Sequence, residues 1–526
     1  MVVLLQICVV DALTAGNGSR RFTRDFIGAG PWTVASIVTS LASDQLICHI
    51  FRAEQILGVK TLDLSGFDCL LISAMTMDKS ACFKIIQKWR QARGSAPIAI
   101  GGPICCEKGI KEKLRIELAI TGELEIHLAE FAIFLETASR NAGKSVIFPP
   151  TVQLVPPDFS SFHRAWSFIK NYPNFHHDRI YVECVRGCSN YRRPKIGSKC
   201  PPNCHRCDEF RPDLPNACPH KIPPGCGYCG THAMFGPPKS RSISAIVTEI
   251  EDLIKLGATR IVLGGPDFLD FQRDQAIAPL PLTSPRTPPE VNKKAIDALI
   301  STIAQFDAVR NGMVQIFYEN LKASLCSKEV LRILQQIPSP IFSIGVETGD
   351  PVHATLLGRP DTPEECLGAI TLAKQMDFRV HAYFIHSLPG ETPETTRQTL
   401  ALLQKLGELD IEKITLYQFK ALPGTFFENY RESKQQEKLM HRWTQKVKKF
   451  VIEYNNAQKN KYVGQVITVD IVELHKFRHG AVIGRIPSGG PGVEIENAAS
   501  FLGQRKQVEI IGVVSDRLLK GRLIKE

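Results

Sequence analysis

Half of the sixteen cysteines in this 526-residue chain lie between Cys184 and Cys229. A disulfide scaffold is normally short, secreted and evenly cross-linked. Crowding in a long chain instead favours reduced thiolates that bind iron or zinc. The other eight, Cys8, Cys48, Cys69, Cys82, Cys105, Cys106, Cys326 and Cys366, are scattered on apolar segments and are expected to be small buried hydrophobes. The opening MVVLLQICVV lacks a basic leader and a small-residue cleavage site, so it reads as a buried strand. No run of about 18 apolar residues is present to cross a bilayer. These features describe a cytoplasmic protein without a membrane partner.

The length suggests about three domains. Residues 1–150 alternate apolar strands (2–10, 46–51, 69–73, 97–101, 118–121) with helical patterns (31–43, 79–92, 124–140). That alternation predicts an α/β domain of flavodoxin or Rossmann type, with ligand loops at the carboxyl ends of its strands. Candidate ligand residues there are Ser73, Thr76, Gly101, Gly102, Gly122 and Glu123. Residues 151–179 read as a linker lying over a surface. A second alternating set fills 180–427, with strands at 180–184, 260–264, 314–318, 341–346, 379–385 and 413–417. Six repeats predict a partial or full (β/α) barrel with its site at the strands' carboxyl ends. The proline-rich stretch 270–289 reads as a surface loop or lid. Residues 428–458 form a basic helical linker, and 459–526 show short glycine-divided β runs expected to close a small β-barrel.

Formal charge is +11. From Arg431 onward there are 18 Lys and Arg against 10 Asp and Glu, so most of the excess sits in the last fifth. Such asymmetry favours a polyanionic partner, nucleic acid being the commonest.

Within the cysteine window, the strand IYVEC leads to Cys188, and Cys226-Gly-Tyr-Cys229 is followed at once by a helical pattern. Three cysteine ligands on an iron–sulfur cluster leave one iron open to a substrate atom. At these residues the sequence resembles the radical S-adenosylmethionine (SAM) superfamily, and the resemblance covers 180–427. IVLGGPDF resembles the strand end that meets the methionine moiety, here Gly264 and Gly265. SIGVETGDPVHATLLGRP places Glu347 in the ribose-contacting position. AYFIHSLPGETPETTRQTL and LYQFKALPGTFFEN resemble the last two strand ends. The resemblance implies a [4Fe-4S] cluster, SAM and an electron donor such as ferredoxin or flavodoxin.

The usual CxxxCxxC spacing occurs as Cys200, Cys204 and Cys207, yet it lacks the aromatic before the last cysteine and precedes a proline-rich loop. Cys188, Cys226 and Cys229 are therefore the preferred catalytic set, with Cys200–Cys204–Cys207 as the alternative. On the preferred reading Cys200, Cys204, Cys207 and Cys218 make a second site for zinc or an auxiliary cluster. Cys184 reads as structural.

Residues 1–140 resemble the cobalamin-binding domain that precedes many radical SAM enzymes, through GAGPWTVASIVTSL, GFDCLLISAMTMDKSACFKIIQKW, APIAIGGP and LAITGELEIHLAEF. The ligating Asp-x-His-x-x-Gly motif is absent. The tail resembles a TRAM domain through VGQVITVDIVE and GAVIGRIPSGGPGVEI, with Lys476, Arg478, Arg485, Arg505 and Lys506 as candidate phosphate contacts. The domain order implies a cobalamin-dependent methyltransferase acting on an unactivated carbon of RNA, tRNA or rRNA. A tRNA methylthiotransferase using a second iron–sulfur cluster is the alternative, and a non-catalytic RNA-binding iron–sulfur protein is a third reading.

Overall fold

The computed structural model describes residues 4–20, 25–41, 45–58, 62–144, 146, 166–201, 204, 218–276, 290–338, 341–475, 478–515 and 517–524. Strands β1 (Leu5–Asp11), β3 (Leu46–Arg52), β4 (Cys69–Ser73), β5 (Ile98–Gly101) and β6 (Leu118–Ile120) form one all-parallel sheet in the order β3-β1-β4-β5-β6. β1 and β4 are almost wholly apolar because helices cover both faces of the sheet. Setting aside the short strand β2 (Phe26–Ile27), the order is flavodoxin-like, with a crevice where the winding reverses beside β1. Trp89 and Cys82 from the helix Lys79–Arg93 fill the core on one side.

The second sheet contains β7 (Arg179–Glu183), β10 (Arg260–Gly264), β11 (Gln315–Tyr318), β12 (Ile341–Glu347), β13 (Arg379–His386) and β14 (Lys413–Gln418). All six run parallel, and each lies within a few residues of its expected place. β2 joins β7 as a seventh parallel strand, giving the order β14-β13-β12-β11-β10-β7-β2. The sheet is open, so the partial barrel holds and the full barrel does not. Along β13 burial alternates at every residue: Val380, Ala382 and Phe384 enter the helix-covered core, while Arg379, His381 and Tyr383 face the concave interior. Side-chain caps start the covering helices, as where Thr362 Oγ1 accepts from Glu365 N and the Glu365 carboxylate accepts from Thr362 N.

The linker expectation for 151–179 needs correction. Residues 151–165 lie outside the described residues. Beyond them Ile169, Tyr172 and Phe175 are buried in the core that joins the two sheets, and Tyr172 Oη donates to Asp11 Oδ2 at 3.1 Å. Aromatic content marked a segment that fills space rather than one that spans it. A short hairpin of β8 (Val185–Arg186) and β9 (Lys239–Ser240) follows β7 and frames the cysteine loop.

The basic helix runs Lys434–Asn460 along the outside of β14, where Asn455 Oδ1 accepts from Ile414 N at 3.1 Å and Nδ2 donates to Ile414 O at 2.7 Å. That side-chain amide satisfies backbone groups an edge strand would otherwise leave unpaired. The tail closes as a barrel, β15-β16-β17-β19-β18, from β15 (Val466–Leu474), β16 (Val482–Arg485), β17 (Gly492–Ile495), β18 (Arg505–Val513) and β19 (Leu518–Leu523). Among the described residues no helix is long and apolar enough to cross a membrane.

Candidate active site

The first loop of the site leaves β7 through Cys184, which is fully buried with its thiol against Val182 O, in keeping with a structural role. Gly187 (φ +85°) then makes the turn into Cys188; a Cβ there would lie 2.1 Å from Pro237 O. Cys226 and Cys229 come from a tight turn in which Cys229 N donates to Cys226 O at 2.9 Å. Gly227 is required because a Cβ would lie 2.3 Å from the Phe427 ring, and Phe427 N donates to Gly227 O. Thus the end of the half-barrel, not only the cysteine segment, sets this turn.

Asn190 ties the two loops together. Its backbone N–H donates to Cys188 Sγ and its Nδ2 to Cys226 Sγ, both at 3.4 Å, while Nδ2 also donates to Gly358 O at 2.9 Å. Cys188 and Cys226 each lie within electrostatic reach of Cys229. Burial pushes the Cys188 thiol up to about 12, opposed by the Lys322 ammonium. Burial likewise raises Cys226, opposed by the Arg359 guanidinium. Cys229 is the exposed member. Among the described residues no three Cys, His, Asp or Glu side chains close around a single metal ion. A cubane spreads its thiolates more widely than one ion does, so three thiols flanked by two cations fit an anionic cluster with one iron left open.

Around this triad lie groups that spacing alone did not reveal. Lys322 Nζ donates to Asp270 Oδ2 (2.7 Å) and Ser189 Oγ (2.8 Å) and pairs with Asp267 Oδ2 (3.0 Å), all buried. Arg359 Nη1 donates to Tyr228 Oη at 3.2 Å and approaches Cys226 Sγ at 3.8 Å and Glu347 Oε1 at 3.8 Å. Arg359 sits inside the stretch that resembles the family, yet only the folded chain shows it meeting the triad.

Gly264 and Gly265 end β10 beside β7. A Cβ on Gly264 would lie 2.9 Å from the Tyr181 ring, and one on Gly265 2.9 Å from Val185 O. Glu347 ends β12 at a register shift, in a left-handed conformation (φ +68°), and burial raises its carboxyl against the pull of Arg359. Both glycines and Glu347 stand at the carboxyl ends of strands, on the rim that carries the triad.

Ser73, Thr76, Gly101, Gly102, Gly122 and Glu123 all line one cavity of about 400 Å3. Leu13, Met75 and Phe131 line it from the first domain, and Gly230, Thr231, Met234, Phe235 and Leu422 from the half-barrel side. Its wall therefore begins one residue beyond Cys229. Gly122 (φ +85°) closes the approach, since a Cβ there would lie 2.9 Å from Met234 O. Glu123 pairs with Lys239 and with Arg186 (3.0 Å), and Arg186 also holds Glu125 (3.1 Å) and Glu183 (2.9 Å). Leu13 belongs to Asp11-Ala-Leu13-Thr-Ala-Gly16, which keeps the Asp-x-x-x-x-Gly frame of the absent ligand motif with leucine where histidine would stand.

Of the expected second metal site, Cys200, Cys204 and Cys218 fall among the described residues. Cys207 lies outside the described residues; Cys200 donates to the neighbouring Pro201 O and Cys204 O accepts from Lys195 Nζ. Three of the candidate phosphate contacts lie beside carboxylates: Arg485 pairs with Asp25 at 3.1 Å, Arg505 with Asp470 at 2.6 Å and Arg478 with Glu494. Lys506 sits over the Phe501 ring, and Lys476 lies outside the described residues.

Residues 214–403 match the Radical SAM superfamily, whose membership implies a [4Fe-4S] cluster and SAM as cofactors. The chain belongs to the same family as the Uncharacterized protein MJ1620 of Methanocaldococcus jannaschii, which is 35% identical over 98% of both chains. The tRNA-2-methylthio-N(6)-dimethylallyladenosine synthase of Lawsonia intracellularis is 25% identical over 70% of this chain and 71% of its own. Among solved structures, the radical SAM methyltransferase TsrM from Kitasatospora setae, with cobalamin and a [4Fe-4S] cluster bound, superposes with a TM-score of 0.52. It is 13% identical and aligns over 81% of this chain and 77% of that one, a likeness of fold.

Proposed function

We propose that this protein is a cobalamin-dependent radical SAM methyltransferase acting on an unactivated carbon of RNA. The observation that carries the reading is the cavity at the carboxyl ends of β4, β5 and β6, whose opposite wall is the segment that begins directly after Cys229. When bound, the corrin would supply the methyl group, and the cluster with SAM the radical that removes hydrogen.

Cys188, Cys226 and Cys229 would hold the cluster, with Asn190 orienting two of the thiols. Gly264 and Gly265 keep side chains away from the methionine position, and Glu347 faces the ribose. Ser73, Thr76, Gly101, Gly102, Gly122 and Glu123 receive the corrin. Leu13 stands where the ligand motif carries histidine and would offer a bound corrin no nitrogen donor. Met75, Met234, Phe235 and Leu422 line the cavity with apolar atoms that exclude water.

For RNA, the helix Lys434–Asn460 offers a better surface than the barrel arginines. Lys434, Lys438, Arg442, Lys446 and Lys449 are exposed on one arc of it. Their spacing suits a phosphate backbone.

The direct test is anaerobic reconstitution with iron, sulfide and hydroxocobalamin, followed by deuterated SAM, an electron donor and cellular RNA. The expected result is one corrin per chain and a labelled nucleoside. A protein carrying no corrin and about eight irons, with sulfur-containing nucleoside as product, would instead establish the methylthiotransferase reading, which the resemblance to the tRNA synthase of Lawsonia intracellularis favours.

A further inference from the structure

The concave face of the half-barrel carries groups that neither cluster nor cavity uses. Strand alternation puts Tyr181, Phe317, Ser343, Tyr383 and Tyr417 on this face, since their strand neighbours Val182, Ile316, Phe342, Phe384 and Leu416 pack on the helix side. Tyr383 and Tyr417 stack with centroids 5.9 Å apart and planes at 30°. Tyr383 Oη donates to Ser343 Oγ at 3.4 Å, which steadies the inner ring. The outer ring is left open: Tyr417 is 55% exposed although it lies on a sheet strand. Glu319 follows β11 on the same face, half-buried, with no hydrogen bond to its carboxylate among the described residues and with the Arg179 guanidinium within electrostatic reach. It lies within electrostatic reach of both tyrosines, as does Glu347 at the rim.

We infer that Tyr417, backed by Tyr383 and flanked by Glu319, is the stacking platform for the unpaired nucleobase that the enzyme modifies. This rests on the RNA reading above. An exposed, rigidly backed aromatic ring beside an unengaged hydrogen-bonding side chain is how proteins take up a splayed-out base. The opposite end of the half-barrel is filled by Arg485 and the loop at Gly489, so entry is from the rim or past the end of β14 beyond its contact with Asn455. β14 is the edge strand, and Lys413, Tyr417, Gln418 and Lys420 are exposed along it. The cationic helix packs against the same strand through Asn455. A strand of RNA lying on the helix would thus present its bases to Tyr417, and the surrounding lysines favour a nucleic acid over an aromatic side chain of a protein.

The test uses the full reconstituted chain and a labelled random-sequence 12-nucleotide single-stranded RNA, compared with the same RNA as a duplex and with free tryptophan as competitor. Tyr417→Ala should weaken single-strand binding by about five- to one-hundred-fold, the range for losing one stacked base. The slope of log K against log salt should stay unchanged, because no phosphate contact is removed. Tyr417→Phe should bind as wild type, and Glu319→Gln should alter the ranking among A, C, G and U homopolymers. Iron content and circular dichroism of each variant guard against loss of folding. The inference is overturned if wild type binds single strands and Tyr417→Ala binds them equally well, or if free tryptophan displaces the RNA at equal or lower concentration. If wild type binds no RNA of any kind, the RNA reading itself falls, which is a separate outcome.

Discussion

The two flanking domains meet the central half-barrel in opposite ways. At the rim, the first domain leaves a cavity of about 400 Å3 between its strand ends and the cysteine turn. At the other end, the terminal β-barrel fills the space. Asp25 accepts from Arg179 Nε (3.2 Å) and Arg260 Nη1 (3.3 Å) and pairs with Arg485 Nη1 (3.1 Å). Burial works against its ionisation, but the three guanidiniums hold that carboxyl well below the usual range. A Cβ on Gly489 would lie 3.2 Å from Phe317 and Ile341, while Arg379 donates to Ser488 O and to Gly489 O (3.0 Å). The first interface keeps glycines and apolar walls unfilled, while the second pairs Arg485 with carboxylates within the protein. By that measure the first domain holds the open cavity and the last packs against the end of the half-barrel; under the proposed function the corrin belongs to the first and RNA to the neighbouring helix.

The turn shared by cavity and cluster gives the largest expected effect. Cys226→Ala should abolish the SAM-induced change in the electron paramagnetic resonance spectrum and all SAM cleavage, leaving RNA binding intact. A retained spectral change would move the catalytic set to Cys200, Cys204 and Cys207. Next, Gly122→Val forces a β-branched residue into a left-handed conformation against Met234 O. Corrin uptake should drop by about tenfold or more while iron content stays near wild type; equal uptake would show that this cavity is not the corrin site.

On the filled side, Arg485→Ala should lower stability by roughly 1–3 kcal/mol, the usual cost of losing a charged hydrogen-bonding partner, read as an earlier unfolding transition. Its RNA affinity should match wild type. A variant of normal stability with weakened RNA binding would make Arg485 a phosphate contact and erase the contrast between the two domains.

The smallest effect expected is on pH dependence. Burial raises the Glu412 carboxyl, but His381 and Arg379 pull it down to about 2. Asp470 is also raised by burial and pulled down to about 2, by His177 and Arg505. Both are lower folded than unfolded, so their contribution is present in full above about pH 4 and is lost as the pH falls toward 2. The protection of the β15–β19 amides, measured against their intrinsic exchange rates, should therefore fall over that window, with little change between pH 5 and 7. Protection that falls already at pH 5 would contradict this account.

The alternation of strand and helix located the six half-barrel strands and the five strands of the first sheet nearly to the residue, because period-two and period-3.6 burial is written locally. The six loop residues proposed to receive a cofactor share one cavity, since small residues after parallel strands must gather at one sheet edge. Two things stayed hidden for the same reason. Asn190, Lys322 and Arg359 are ordinary polar residues until folding sets them beside Cys188 and Cys226, 36 positions away in the case of Asn190 and Cys226. The seventh strand was equally illegible, because Phe26–Ile27 comes from the other domain.

Clustered cysteines pointed to iron or zinc, the resemblance of the strand ends to the radical SAM superfamily implied a cluster and SAM, and the basic tail favoured a polyanionic partner. Charge counting could not say which cations are free to meet that partner. Arg478, Arg485 and Arg505 look like phosphate contacts in one dimension, yet each has a carboxylate within ion-pair distance in three. Composition sets how much charge a segment holds. Only tertiary contact decides whether that charge is already neutralised, because the Coulomb term depends on distances that sequence separation does not encode.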